Sequence, residues 1–337
     1  MCIRDSHYFD YLNFDKDHGY ARRPGVFQAS IEGVAHLTAW IDYYKVGELR
    51  GTMLLGPALD ALSRGQLRDA LEPGAVALLA DAQRALPDYL EGALDGAEEL
   101  CFASLTQALR RILLRVRAYR HGGAVLVASS TMVDDLLSVK YPLSYGRLVE
   151  ALSLQLAYQA QFGVAMDMIM ESLDRDAEHI NVGAYLDNAV AGDELEDIDR
   201  ELDAALWFIA LLTRVDGLVL LDPRLGVAGF GAFVDVEQEP PQVFEAITAR
   251  GGRRRALEYG AFGSRHRSMM RACWAMKGSV GFVVSQDGMI RGMTSTEDGV
   301  IVWPDLMLQR LRDAPTEKRS KQIDQIRSEA ESPPRHD

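Results

Sequence analysis

Cysteine and long apolar runs are both scarce in this sequence. Its three cysteines, Cys2, Cys101 and Cys273, form neither a CxxC pair nor a metal-ligand spacing. This usage argues against a disulfide framework and fits a reducing compartment. The longest apolar run, 204–212, falls well short of the roughly 18 residues that a membrane span requires, and residues 1–7 lack the apolar core of a signal peptide. We therefore expect a cytoplasmic protein without a membrane partner.

Positive charge is also in short supply. The chain carries 36 Lys and Arg against 49 Asp and Glu, which gives a formal net charge of −13 at pH 7. A general nucleic-acid binder needs clustered cations for the phosphate backbone, so we expect no nucleic-acid partner. One segment departs from the trend, because residues 250–271 hold seven arginines and a histidine against a single acid, Glu258. Such an island indicates either a site for a small polyanion or a solvated basic face, and the run 253–255 is open to both interpretations.

The periodicity of apolar residues predicts an α/β protein with two domains and a tail. We predict a strand at 26–42, a helix at 56–71 and a short buried strand at 76–80, and we assign residues 1–97 to a smaller N-terminal α/β domain of unknown role. Residues 98–306 are predicted to form a mixed β-sheet flanked by helices. The predicted helices of this region cover 104–119, 148–170 and 193–214, and its predicted strands cover 124–128, 217–221, 227–234, 280–285, 289–293 and 300–303. The polar, charged residues of 307–337 predict a disordered tail.

The start of one predicted helix carries an unusual set of cations. Apolar side chains recur from Met269 to Met276 at helical spacing, so a helix begins just before them. Ser264 is the predicted N-cap, and Gly263 allows a sharp turn ahead of it. Arg265, His266 and Arg267 then occupy the first turn, where positive charge is unfavourable. A helix start binds anions through its unpaired N–H groups, so a bound triphosphate would account for these cations. The alternative is an exposed, cation-rich helix start.

Two further segments are weak signals by themselves. Asp216 and Gly217 stand where a predicted helix gives way to a buried strand. An acid at that point can hold a divalent metal or orient a hydroxyl group, although Asp-Gly more often marks a plain turn. The glycines at 122–123 open another buried strand in the same way.

Taken in order, these segments resemble the diadenylate cyclase family, whose catalytic part is the DAC domain. That family carries a Gly-Ala-Leu-Ile-type strand, an Asp-Gly-Ala motif, a Gly-Thr-Arg-His-Arg helix start and a strand that ends in Ser-Glu or Ser-Gln. The equivalents here are residues 123–127, 216–218, 263–267 and 283–286, and residues 141–143 also resemble the segment after the family's first strand. The resemblance covers residues 98–303.

The resemblance implies a role for each matching residue. Asp216, followed by Gly217, would bind Mg²⁺ or Mn²⁺ and help to activate the 3′-hydroxyl group of ATP. The phosphates would be held by the helix start and by one later hydroxyl group, which means Gly263, Ser264, Arg265, His266, Arg267 and Ser285. The strand around Phe230 would line the adenine, and Gly123 would also belong to the ATP-binding site. Each protomer would hold one ATP, and two sites would face each other in a homodimer or a higher homo-oligomer.

Departures from the family pattern leave two hypotheses. Leu218 stands where the family has alanine, Ser264 replaces threonine, and the stretch 153–215 is longer than usual. The first hypothesis is an active diadenylate cyclase, which condenses two ATP into cyclic di-AMP and pyrophosphate for second-messenger signalling, with the N-terminal domain sensing an unknown signal. The alternative is a catalytically inactive DAC-like module that binds a nucleotide as a sensor.

Overall fold

The computed structural model describes residues 27–41, 44–51, 53–55, 60–85, 96–129, 136–175, 181–306 and 308. Contacts divide the chain into two compact units. The described strands up to residue 55 belong to the first unit, and residues 60–306 belong to the second. The tail predicted at 307–337 lies outside the described residues, apart from Leu308.

The described part of the first unit is an antiparallel meander of four strands. The strands are β1 (Phe27–Gly33), β2 (His36–Ile41), β3 (Tyr44–Arg50) and β4 (Met53–Leu55), and they pair in that order. The single strand predicted at 26–42 is therefore a hairpin. Its turn passes through Ala35, which has a φ of 53°.

The helix that follows, α1 (Gln66–Ala85), belongs to the second unit. The prediction of a strand at 76–80 is wrong, because these residues lie inside α1. Leu67, Leu71 and Leu78 are buried at helical spacing, and a short apolar run cannot by itself distinguish a buried strand from one face of a helix. The structural division falls ahead of α1, whereas the sequence prediction placed the domain boundary after residue 97.

The second unit is built on one mixed sheet of nine described strands flanked by helices. Its strands are β5 (Gly123–Val127), β6 (Leu137–Tyr145), β7 (Leu218–Leu221), β8 (Val227–Val234), β9 (Val243–Ala246), β10 (Arg254–Leu257), β11 (Val280–Val284), β12 (Ile290–Ser295) and β13 (Val300–Trp303). Their order across the sheet is β10-β9-β13-β12-β11-β5-β7-β8-β6. β5 and β7 run parallel, as do β13 and β9, and the other neighbours are antiparallel. The mixed sheet flanked by helices agrees with the sequence prediction at this coarse level.

Helices cover both faces of this sheet. The remaining helices are α2 (Ala97–Ala118), α3 (Arg147–Arg175), α4 (Val182–Leu212) and α5 (Ser264–Ala275). On one face, Met269 of α5 packs so tightly against Gly281 of β11 that no Cβ would fit there. On the opposite face, Val116 of α2 fills the space beside Gly123 in the same way.

Helices α3 and α4 form a long antiparallel hairpin within the stretch predicted as an insertion. They contain 29 and 31 residues, or about 44 and 47 Å at 1.5 Å per residue. Gln155 donates to Asp199 at 2.9 Å, and Asn188 donates to the carbonyl oxygen of Phe162 at 3.1 Å. The helix predicted at 193–214 thus begins eleven residues earlier. Among the described residues, no helix is long and apolar enough to cross a membrane.

Candidate functional site

The topology brings the separate motifs to the same side of the sheet, where β5 and β7 begin and β11 ends. We call this side the motif edge. Because β5 and β7 are parallel, Gly123 and the Asp216–Gly217 pair lie at the same ends of their strands. β11 is antiparallel to β5 with Val284 opposite Gly123, so Ser285 leaves β11 at this same edge. Neighbouring strands lie about 4.8 Å apart, and two such steps place the start of β7 about 10 Å from the end of β11. That separation is within the span of one nucleoside triphosphate.

Helix α5 begins at this edge with the predicted cations in its first turn. The N-cap is Gly263, with φ −65° and ψ 162°, and no side chain caps the helix. Ser264 is therefore the first helical residue rather than the N-cap, a shift of one position. No acid occupies the first turn, and both Ser264 and Arg267 are exposed. No acidic side chain of the first turn therefore offsets the positive end of the α5 dipole or accepts from its first N–H groups.

A hydrogen-bonded cluster joins α5 to the neighbouring strands. Arg291, near the start of β12, donates from Nη1 to Ser285 Oγ at 3.0 Å, and the same nitrogen lies 3.0 Å from His266 Nε2. His266 and Ser285, which the sequence assigned to one site, are therefore brought together. Arg291 was missed by the sequence analysis. Its only signal in the sequence is that it is the single charged residue of β12.

The electrostatic environment of His266 disfavours a charged ring. Burial, which is the largest cause, and the positive charges of Arg291 and Arg265 together lower the pKa of His266 to about 4, although Asp287 acts in the opposite direction. The imidazole is consequently neutral near pH 7. The fixed positive charge of the site comes from arginines.

Arg265 lies over the backbone at the start of β5. A Cβ at Gly122, which has a φ of +75°, would lie 2.9 Å from the carbonyl oxygen of Val284 and 3.0 Å from Arg265 Nη1. Gly122 is therefore the glycine that leaves room for the guanidinium group. Gly123 instead faces Val116 on the other side of the sheet, which explains this glycine by packing.

Asp216 stands exposed at the start of β7. Its carboxylate makes no hydrogen bond or ion pair with any residue in the described part of the chain. Gly217 has a φ of +108°, and a Cβ there would lie 2.6 Å from the carbonyl carbon of Gly231, so glycine is required. The side chain of Leu218 is buried in the core that faces α5.

An aromatic pair lies beside Asp216. Phe230 of β8 and Tyr141 of β6 are cross-strand partners whose rings stack with centroids 4.9 Å apart and planes 22° apart. A Cβ on Gly231 would lie 3.1 Å from the Tyr141 ring and 3.4 Å from the carbonyl oxygen of Asp216. Tyr141 is 40% exposed, and Lys140 Nζ lies 5.1 Å from the centre of its ring, so the pair presents a partly open aromatic surface near the backbone of Asp216.

Metal binding at this edge would depend on few protein ligands. Within the described ranges, no group of three or more His, Cys, Asp or Glu side chains could hold a metal ion. Mg²⁺ in nucleotide sites typically uses one or two carboxylates together with substrate phosphates and water. The exposed carboxylate of Asp216 fits that kind of site.

Other arginines of the basic island serve the sheet. Arg254 donates to both carboxylate oxygens of Asp298, at 3.0 and 2.8 Å, and Arg255 pairs with Glu245. These pairs hold β10 and its neighbours, several strands away from Ser285. Two arginines of the island, Arg254 and Arg255, are therefore structural, whereas Arg265 and Arg267 lie at the motif edge.

A cleft of about 550 Å³ lies on the side opposite the motif edge, at the other ends of the strands. It is bounded by α1, the start of α3 and the β7–β8 turn. Its charges are largely satisfied within the fold. Arg224 donates to Asp81 at 2.8 Å, and Asp222 accepts from two backbone N–H groups of its own turn. None of the motif residues lines this cleft, so we place the candidate site at the motif edge.

No protein-family model matches the sequence, and no curated protein is significantly similar to it. The assignment of the candidate site therefore rests on the geometry described above.

Proposed function

We propose that the region 98–306 is a diadenylate cyclase domain that binds ATP and condenses two molecules into cyclic di-AMP. The observation that carries the proposal is the convergence at one sheet edge of Asp216, Ser285 and the cationic start of α5. These elements are far apart in the sequence, and an arbitrary set of charged residues has no reason to meet there.

Recognition of the triphosphate is assigned to the start of α5 and the arginines around it. Backbone N–H groups at a helix start bind phosphate oxygens, and the Arg265 side chain reaches across Gly122 towards β11. Arg267 and Arg291 add two further permanent charges. This set supplies the cations that an acidic protein needs locally to attract a polyanion.

The nucleotide base is assigned to the aromatic pair. Tyr141 and Phe230 already stack on each other and leave one ring open beside Asp216. Aromatic faces bind flat rings by offset stacking. With phosphates at α5 and the base near Tyr141, the ribose would lie over the start of β7.

The reaction joins two nucleotides by phosphoryl transfer. The 3′-oxygen of each ATP forms a bond to the α-phosphorus of the other, the bond from that phosphorus to the bridging oxygen breaks, and pyrophosphate leaves as the hydroxyl proton is lost. Asp216 would hold Mg²⁺ or Mn²⁺ and orient the hydroxyl group. The ion, when bound, neutralises phosphate charge as a Lewis acid. The protein contributes position and fixed charge more than covalent chemistry.

One protomer provides only one of the two nucleotide sites. The two 3′-oxygens must each reach the phosphate held by the other site, so the proposal requires a second copy of the chain with its motif edge facing the first. The active species would be a homodimer or a higher homo-oligomer.

The direct test is incubation of the purified full chain with ATP and either Mg²⁺ or Mn²⁺, followed by mass spectrometry of the products. We expect cyclic di-AMP and pyrophosphate. If the chain binds ATP by calorimetry but forms no product with either metal, the sensor alternative is supported instead. A chain that does not bind ATP at all contradicts both.

The phosphate assignment is tested separately with Arg265→Ala. The substitution should weaken ATP binding by about 1.5–3 kcal/mol, the range for hydrogen bonds to charged groups. Adenosine binding should change little, because adenosine lacks the phosphates. Arg253→Ala is the matched control, since Arg253 is an exposed arginine of the same segment outside the site. Equal losses for adenosine and ATP would make Arg265 a structural residue.

A further inference from the structure

We infer that Arg291 is a positioning residue of this site, which orients Ser285 and fixes His266 as the neutral tautomer with its proton on Nδ1. The ring then offers one donor, Nδ1–H, to an anionic ligand. Only the identity of that ligand rests on the proposed function.

The hydrogen-bonding capacity of the two side chains determines the tautomer. A guanidinium group has five N–H donors and no acceptor. Arg291 Nη1 lies 3.0 Å from His266 Nε2, so the bond requires a lone pair on Nε2. A neutral imidazole that accepts at Nε2 carries its hydrogen on Nδ1.

One nitrogen of Arg291 serves both neighbours. Nη1 carries two hydrogens, one for His266 Nε2 and one for Ser285 Oγ at 3.0 Å. Because Ser285 accepts from Arg291, its own hydroxyl hydrogen remains available to a further acceptor. The two side chains that the sequence assigned to phosphate are thus oriented by a single guanidinium group that the sequence analysis had not assigned.

The charges around His266 support the same protonation state. Arg291 reaches it from β12, Arg265 from its own helix and Asp287 from the β11–β12 turn, while the Phe262 ring lies 6.1 Å away. Burial and the two arginines keep the pKa of His266 far below its ordinary value. A protonated ring would lose the bond from Arg291, since both of its nitrogens would then be donors.

The test is a nitrogen-15 NMR experiment on the full chain, with histidine labelled in the imidazole ring and without nucleotide. Long-range proton–nitrogen correlations report which ring nitrogen is protonated, and the His266→Gln spectrum identifies the signal. In the wild type we expect the neutral ring to carry its hydrogen on Nδ1 at neutral pH. The ring should take up its second proton near pH 4. In Arg291→Gln the titration should move upward but stay below pH 6.5, because burial remains, and the preference for Nδ1–H should weaken.

A second measurement connects this geometry to ligand binding. Arg291→Gln should weaken ATP binding by about tenfold to a hundredfold, the equivalent of one lost charge-assisted hydrogen bond. Arg291→Lys, which keeps the charge but lacks the planar pair of donors, should keep the pKa of His266 low and recover part of the affinity. Arg253→Gln should alter neither quantity.

The outcomes separate this inference from the proposed function. A wild-type His266 protonated at Nε2, or a titration and tautomer unchanged in Arg291→Gln, would overturn the inference even if cyclic di-AMP were formed. Absence of product with the expected tautomer would count against the proposed function alone. If Arg291→Gln does not fold, the wild-type tautomer and the Arg291→Lys titration still decide the matter.

Discussion

At the scale of single residues, the candidate site depends on glycines that leave space for close contacts and on an arginine that orients its neighbours. Gly122 leaves room for Arg265, and Gly217 allows the chain to pass the backbone of β8. Arg291 then fixes two side chains at once. The Asp216 and helix-start motifs were recognisable in the sequence because they are local. Arg291 was not, because its partners are decided by strand pairing.

Gly217→Ala should destabilise the protein markedly. An alanine at φ +108° costs about 1–3 kcal/mol in backbone strain, and its Cβ would lie 2.8 Å from the carbonyl oxygen of Ala232. We expect a corresponding fall in the free energy of unfolding, measured with urea. Gly252→Ala is the control, because nothing lies within 4 Å of a Cβ there. Equal stability of the two variants would contradict the close approach at Gly217.

His266 should make stability depend on pH in a defined window. The unfolded chain takes up the proton near pH 6.5 and the folded protein only near pH 4, so acidification between these values favours the unfolded state. The contribution is fully present above pH 6.5 and is lost as the pH falls through 4. The free energy of unfolding of His266→Gln should therefore fall less steeply than that of the wild type across this window. Parallel curves would mean that the pKa of His266 is not lowered in the folded protein.

At the scale of elements, sequence patterns were informative where burial is regular. The predicted strands at 217–221, 227–234, 280–285 and 300–303 agree with β7, β8, β11 and β13, whose residues are mostly buried between helices. β6 and β10 were missed because they form the exposed edges of the sheet. β10 begins with two exposed arginines and carries no alternating apolar pattern. β6 does alternate apolar and polar residues from Leu137 to Tyr145, but it contains Pro142, and a proline weakens a strand prediction.

The first turn of α4 should depend on its cap. The Asn181 side chain accepts a hydrogen bond from the N–H of Ala184 at 3.1 Å. Loss of such a cap in Asn181→Ala should cost about 1 kcal/mol, whereas Asn181→Asp keeps the acceptor and should cost little. Amide hydrogen exchange in residues 182–185 should accelerate in the first variant only. Equal exchange in both variants would show that the cap does not hold this turn.

At the scale of the whole molecule, a sequence of net charge −13 gathers permanent cations at one edge of its larger sheet. Composition alone left the basic island open between a polyanion site and a solvated basic face, and it could not divide the island. The ion pairs of Arg254 and Arg255 come from strands that pair only in the folded sheet. The contacts divide the chain ahead of α1, which is adjacent in sequence to the first unit but packs in the second.

Asp216→Asn should separate catalysis from binding. ATP affinity and stability should be nearly unchanged, since phosphate binding is assigned to the start of α5, while cyclic di-AMP formation should be abolished because the acid acts as charge develops in the transition state. Product is measured by mass spectrometry and affinity by calorimetry. Asp193→Asn, at an exposed acid of α4 outside the candidate site, is the control. Unreduced product formation in Asp216→Asn would contradict the role of Asp216.

The same mechanism predicts a dependence on protein concentration. Activity per protomer should fall steeply once dilution dissociates the dimer, as followed by light scattering on the same samples. Constant turnover in a demonstrably monomeric sample would exclude the two-protomer reaction while leaving the nucleotide site intact.

The parallel pairing of β5 with β7 has a consequence for biosynthesis. These strands carry two halves of the candidate site, yet β6 and the whole α3–α4 hairpin are translated between them. Contacts between segments so distant in the chain form late and slowly, because a long loop must be closed before they contribute any stability. Residues of α5 and β12 emerge later still. The candidate site is therefore completed only when the ribosome has delivered nearly the entire sheet, and a truncated chain that ends before α5 holds Asp216 but none of the arginines assigned to the phosphates.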